Sequence, residues 1–172
     1  MALSKIAVTS ADFPSGSVLQ VQSTVLTTAI VKASSSTNAF VDLDLSVNIT
    51  PLSSSSKILI MVNASFSYSI GTGHIRLVRG STAICVGDAA SNRLQSSSSI
   101  RDAGTPYTHN IQNLSINFLD TPSTTNTTTY KIQGTLGSTY SGSVYLNRTP
   151  SDVDADYGPR PASTITVTEI AG

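Results

Sequence analysis

From Val41 to Thr50 the chain alternates without a break. Val41, Leu43, Leu45, Val47 and Ile49 share one parity, and Asp42, Asp44, Ser46, Asn48 and Thr50 share the other. A period of two is that of a strand with one dry face and one wet face. The same reading predicts a strand over residues 57–70, with Ile58, Ile60, Val62, Ala64, Phe66 and Tyr68 on one side. Leu59 and Met61 lie opposite. A strand apolar on both sides is expected where two layers cover it.

The remaining elements follow from shorter runs and turn signals. Residues 17–31 form a long strand candidate with a break at Leu26, Thr27 and Thr28. Residues 74–80 and 81–87 read as a hairpin pivoting on Gly80 and Ser81. Strands are also expected over 111–120 (Leu114, Ile116 and Phe118 inward), 129–136, 143–148 and 163–171. Residues 88–110 are polar and irregular, the longest loop candidate, and long loops in compact domains tend to be functional. Residues 149–162 form a loop rich in Pro and Asp. No segment shows convincing helical periodicity. The fold expected is all-β, an antiparallel β-sandwich of jelly-roll type with eight to ten strands over residues 16–172. Residues 1–15 are expected to be an arm, either a frayed terminus or a segment that grips a neighbour.

Composition sharpens this picture. Charged residues make up only 12% of the chain and about fifty residues are Ser or Thr, yet Val, Ile and Leu are plentiful enough to argue against disorder. The hydroxyl residues read as the polar half of strands, a setting that Thr favours. A formal net charge of zero leaves no electrostatic footprint for nucleic acid or an anionic membrane. Apolar runs are a few residues long, so no membrane insertion is expected. The opening MALSKIAVTSADFP lacks the apolar core of a secretion signal. The lone Cys85 excludes an internal disulfide and reads as a small buried hydrophobe. Weak self-repulsion suits a protein that associates.

Candidate chemistry is sparse. Glu169 is the only glutamate, the histidines are His74 and His109, and no nucleophile elbow, phosphate loop or zinc spacing is present. The chain therefore reads as a non-enzyme without a cofactor. Asp152, Asp154 and Asp156 alternate as at the start of a Ca2+ loop, but Gly158 comes one place late and Ser163 stands where a bidentate Glu belongs. A solvated turn is the plainer reading, with the three aspartates a weak metal candidate. Loop residues Tyr107, His109, Tyr140, Tyr157 and Arg160 are candidates for partner or receptor contact, since tyrosine offers an apolar plate and a hydroxyl at low entropy cost. The alternative is that these rings lid the ends of the sandwich.

Five phrases in fixed order carry a resemblance: GSVLQVQ, FVDLDLSVNITPLSSSSKILIMV, RLVRGSTAICVGDAA, INFLDTPSTTNTTTYKIQ and STITVTEIAG. Together they span residues 16–172 and resemble virion structural proteins of bacteriophages of marine and freshwater bacteria, cyanophages among them. The resemblance implies a virion location and a surface subunit of the tail (fibre or adhesin) or of the capsid exterior (decoration). It implies a homotrimer, contacts with other capsid or tail proteins involving residues 1–15, and a host surface glycan as a further partner. No catalytic residue carries over. The short arm departs from fibre-attached members, which carry a long docking region. A stand-alone carbohydrate-binding, lectin-like domain is the alternative from another class.

Overall fold

The computed structural model describes residues 13–35, 37–101, 108–137 and 139–172. Most of the expected arm and Tyr107 lie outside the described residues. Eleven strands form two antiparallel sheets, and no helix occurs among the described residues. The strands are β1 (Val18–Leu26), β2 (Ile30–Ser34), β3 (Val41–Ile49), β4 (Lys57–Tyr68), β5 (Thr72–Arg79) and β6 (Thr82–Ile84). They continue with β7 (Ser98–Arg101), β8 (Gln112–Asp120), β9 (Thr128–Leu136), β10 (Gly142–Leu146) and β11 (Ser163–Ile170).

Eleven segments occupy only eight positions, because three positions are split. On one edge of β4, β11 pairs with Lys57–Asn63 and β10 with Phe66–Tyr68, end to end. Beyond them β1 pairs with β11 and β2 with β10, again end to end. On one edge of β5, β6 and β7 do the same. Numbering the positions along the chain, with β1/β2 as 1, β6/β7 as 5 and β10/β11 as 8, gives sheet orders 1-8-3-6 and 2-7-4-5. That order is the jelly roll, two interleaved Greek keys.

Alternation fixes what fills the sandwich. Leu43, Leu45, Val47 and Ile49 of β3 face Ile58, Ile60, Val62 and Phe66 of β4, with Tyr130, Ile132, Ile165 and Val167 beside them, and all are buried. The pairing of β3 with β9 slips between Asp42 and Ser46, where four residue steps on β3 meet two on β9 (Gln133 to Lys131). The excess is even, so the inside–outside parity survives the bulge. Asp44 absorbs it at φ +57°.

Four expectations are corrected. Residues 88–110 are not wholly irregular, since β7 lies within them and completes the edge of β5. The hairpin on Gly80 forms, but β6 stops at Ile84 because Cys85 takes a left-handed φ of +53°. Among the described residues no second layer covers the outer side of β4, and Met61 is 39% exposed. The long first strand breaks at residues 27–29, one residue beyond the expected start of the break.

The splits are closed by side chains. Between β10 and β11 the chain leaves the sheet for residues 147–162. Asn147, fully buried at φ +61°, donates from Nδ2 to the carbonyls of Leu26 (2.7 Å) and Thr28 (3.0 Å). Its Oδ1 accepts from Ser163 Oγ at 2.6 Å, and Ser163 Oγ accepts from the Ser65 amide at 2.9 Å. Between β6 and β7 the chain leaves for residues 85–97. Ser97 covers that gap: its amide donates to the Ile75 carbonyl (2.9 Å) and its Oγ accepts from the Leu77 amide (2.9 Å). Backbone groups that the missing strand would have paired thus keep partners.

Candidate functional site

Two surfaces and one buried cluster hold the polar chemistry of the fold. The first surface is the outer face of the β1/β2–β10/β11–β4–β8 sheet. Directly paired residues of antiparallel strands share a face. Register therefore sets three rows across four strands: Leu119, Leu59, Thr168 and Val21; Asn117, Met61, Thr166 and Ser23; Ser115, Asn63, Thr164 and Val25. None of these residues is charged. Val21, Val25, Met61 and Leu119 are exposed, as is Val18 at the margin. The polar members bond one another, Ser115 Oγ to Asn63 Oδ1 at 2.7 Å and Ser23 Oγ with Thr166 Oγ1 at 2.9 Å. Lys57, opposite Ile170, is the charged residue at the border.

The outer face of the other sheet has a different character. Lys131 Nζ pairs with Asp42 (2.5 Å), Thr129 Oγ1 donates to Asn48 (2.6 Å), and Arg76 donates to Gln133 from Nε (3.0 Å) and Nη2 (2.8 Å). Asp42 and Asn48, at the two ends of the wet face of β3, are thus engaged with β9. Lys32 of β2 reaches across the open side of the sandwich to Asp44 at 2.7 Å. His74 lies on this face half-buried, its Nδ1 without a partner, and burial pushes its pKa below the ordinary value.

Over this second face folds the excursion 85–97. With Asn38, Phe40 and Arg76 it borders an open cleft of about 570 Å3, lined further by Asn92, Arg93 and Gln95. The Arg76 guanidinium lies 4.1 Å above the Phe40 ring centre. Sequence reading missed this cleft; the available signal was an arginine in the middle of the apolar run of β5.

At the far end of β8, the nearly buried Asp120 takes Arg79 Nη1 at 2.8 and 2.9 Å and the Tyr130 hydroxyl at 2.7 Å. This ties the two sheets together. Burial, then the bond to Asp120, raise the Tyr130 pKa. Glu169 is also fully buried, accepting from Gln20 Nε2 (2.6 Å) and the Leu52 amide (2.7 Å). Cys85 is half-buried, and desolvation raises its thiol pKa.

The residues singled out in the sequence separate into two places. In the excursion 147–162, Asp152 is held by Arg148 (3.0 Å) and Arg160, so its carboxylate faces two cations. Asp154 and Asp156 do not join it, and no group of three metal-ligating side chains forms among the described residues. The alternating aspartates do not converge as a Ca2+ loop requires. Tyr157, 56% exposed, meets His109 edge-on with ring centres 4.9 Å apart, and the Ser151 amide donates to the Thr108 carbonyl (2.8 Å). His109, Tyr157 and Arg160 thus share one loop cluster. Tyr140 stands apart, packed against the core over Gly71, whose φ is +76° and whose added Cβ would lie 2.2 Å from the ring. It lids the sandwich.

These features define a class: an antiparallel jelly-roll sandwich with one uncharged outer face and one polar, charged outer face. Neither protein-family models nor curated proteins match the chain. Among solved structures, the crystal structure of infectious bursal disease virus VP2 subviral particle is similar at a TM-score of 0.41 and 13% identity. The likeness covers 88% of this chain and 38% of that one, so this chain spans well under half of that protein's length. The jelly-roll assignment rests on strand order and not on that likeness.

Proposed function

We propose that the protein is a non-enzymatic structural subunit of a bacteriophage virion, exposed on the tail or on the capsid exterior. It assembles with copies of itself as a homotrimer through the outer face of the β1–β11–β4–β8 sheet. The observation that carries this reading is the row structure of that face: twelve register-matched residues, none charged, with Val21, Val25, Met61 and Leu119 exposed. An uncharged sheet face that leaves Val21, Val25, Met61 and Leu119 in water among hydroxyl and amide side chains suits an association surface.

A second copy is the occupant this surface fits. Its polar groups are hydroxyls and amides, which both donate and accept, so they can find partners on the differently placed residues that the neighbouring copies of a trimer present. With a formal net charge of zero, no long-range repulsion opposes assembly. The sequence resemblance to phage virion proteins supplies the setting, and the jelly roll is an architecture used in viral capsids and lectins alike.

The test is light scattering after size exclusion. The wild-type chain is expected as a trimer. Val21→Lys with Met61→Lys, both at exposed positions, is expected to yield a folded monomer, while Asn48→Lys on the opposite sheet leaves the trimer intact. A wild-type monomer at tens of micromolar, a concentration well above the affinity expected of a specific assembly, or a trimer that survives both lysines, overturns the reading.

A further inference from the structure

The structure assigns a second surface: the cleft under the excursion 85–97 binds the carboxylate-bearing end of an acidic saccharide. It lies on the sheet opposite the proposed assembly face, so it stands independently of that reading. About 570 Å3 falls within the usual range of small-ligand sites.

The lining has one chemical bias. Arg76 and Arg93 bring two guanidinium groups, and no carboxylate lines the cleft among the described residues. The carboxylates nearest along β3 are occupied, Asp42 by Lys131 and Asp44 by Lys32. Neither Arg76 nor Arg93 has a carboxylate partner among the described residues. Arg76 is also pre-set. Phe40 supports its plane, and Gln133 Oε1 accepts from Nε and Nη2, which leaves Nη1 to a ligand. A guanidinium held in this way is matched to a planar carboxylate.

The rest of the lining suits a sugar. Asn38, Asn92 and Gln95 present amides, which donate and accept and so fit vicinal hydroxyls. Phe40 and Leu94 offer apolar walls to the C–H faces of a ring. The excursion is itself anchored at its base, where Gln95 Nε2 donates to the Gly87 carbonyl (2.7 Å) and the Gly87 amide to the Ser96 carbonyl (3.3 Å). The cleft is therefore formed before a ligand arrives, which lowers the ordering cost of binding.

The probe is a disaccharide ending in glucuronic acid, compared with its carboxyl-reduced neutral counterpart and with inorganic sulfate. Binding is read by isothermal titration calorimetry and by saturation-transfer NMR on the sugar protons. Saturable binding of the uronate is expected, weaker by about tenfold or more for the neutral sugar. Arg93→Ala, in an exposed loop, is expected to weaken the uronate by about tenfold or more, and Arg76→Gln likewise, with far-UV circular dichroism unchanged. No saturable uronate binding overturns the proposal. So does equal affinity for the neutral sugar, or for sulfate alone, the latter marking a simple anion site. Trimer formation is measured on the same samples and is expected to be unaffected by either arginine variant, so failure here and failure of the assembly reading are told apart.

Discussion

Asn147 offers the sharpest test of how this sandwich tolerates its interruptions. Asn147→Ala removes three side-chain hydrogen bonds, to Leu26 O, Thr28 O and Ser163 Oγ, and leaves the backbone amide bond to Ser65 O in place. The residue is fully buried, but Leu26 is half-buried and Thr28 exposed, so water can rescue part of the loss on their side. An unsatisfied buried group costs about 1–3 kcal/mol, and the partly wet carbonyls belong at the low end, giving about 2–4 kcal/mol for the set. Alanine must also adopt the left-handed φ of +61°, which adds about 1 kcal/mol. Asn147→Gly loses the same bonds without that strain. The expected order of stability is wild type, then Gly, then Ala, with Ala down by about 3–5 kcal/mol and its Tm lower by roughly 10 °C. Urea unfolding followed by tyrosine fluorescence measures this. It is best done in the Val21→Lys, Met61→Lys background so that assembly does not shift the baseline. If both variants unfold within about 0.5 kcal/mol of wild type, the side-chain closure of the split strand is wrong. If Ala is more stable than Gly, the backbone part of the reasoning fails.

Two further predictions concern packing and pH. Gly73→Ala places a Cβ 2.6 Å from Phe66 Cε1 and 2.8 Å from the Tyr68 ring, and is expected to cost about 1–3 kcal/mol by overpacking. Gly134→Ala meets only the movable end of Leu43, at 3.0 Å, and is expected to cost less; urea midpoints that rank them the other way refute the packing. Burial holds the His74 pKa below its ordinary 6.5, so the unfolded chain takes up the proton first as pH falls. Stability should therefore drop from about pH 6.5 downward until the folded-state group also protonates. The wild type should lose more stability between pH 8 and pH 5 than His74→Gln, and parallel curves would exclude the effect.

Much of the fold is written in the period of the strands. The parity of Leu43 to Ile49 and of Ile58 to Phe66 names the core directly, and it survives even the bulge at Asp44, because two extra residues leave the faces unchanged. What the pattern cannot carry is the identity of the cover. Leu59 and Met61 read as if a second layer lay over them, whereas they belong to an open face. The split positions are equally hidden, since Asn147, Ser163 and Ser97 act on backbone groups far away in sequence. The alternating aspartates read more plainly as a solvated turn than as a cation loop, and the cations that hold Asp152 are side chains of the same loop, Arg148 and Arg160. The cleft escaped notice for a related reason: Phe40, Arg76 and Arg93 meet only once residues 85–97 fold back.

The paired closures at Asn147 and Ser97 make the two excursions separable from the scaffold that bears them. Each leaves and rejoins its sheet through a stitched seam, so a longer or exchanged segment beyond the seam is expected to leave the strand register on either side undisturbed. Such a frame can diversify what it displays at two fixed ports while its core and its uncharged outer face stay constant.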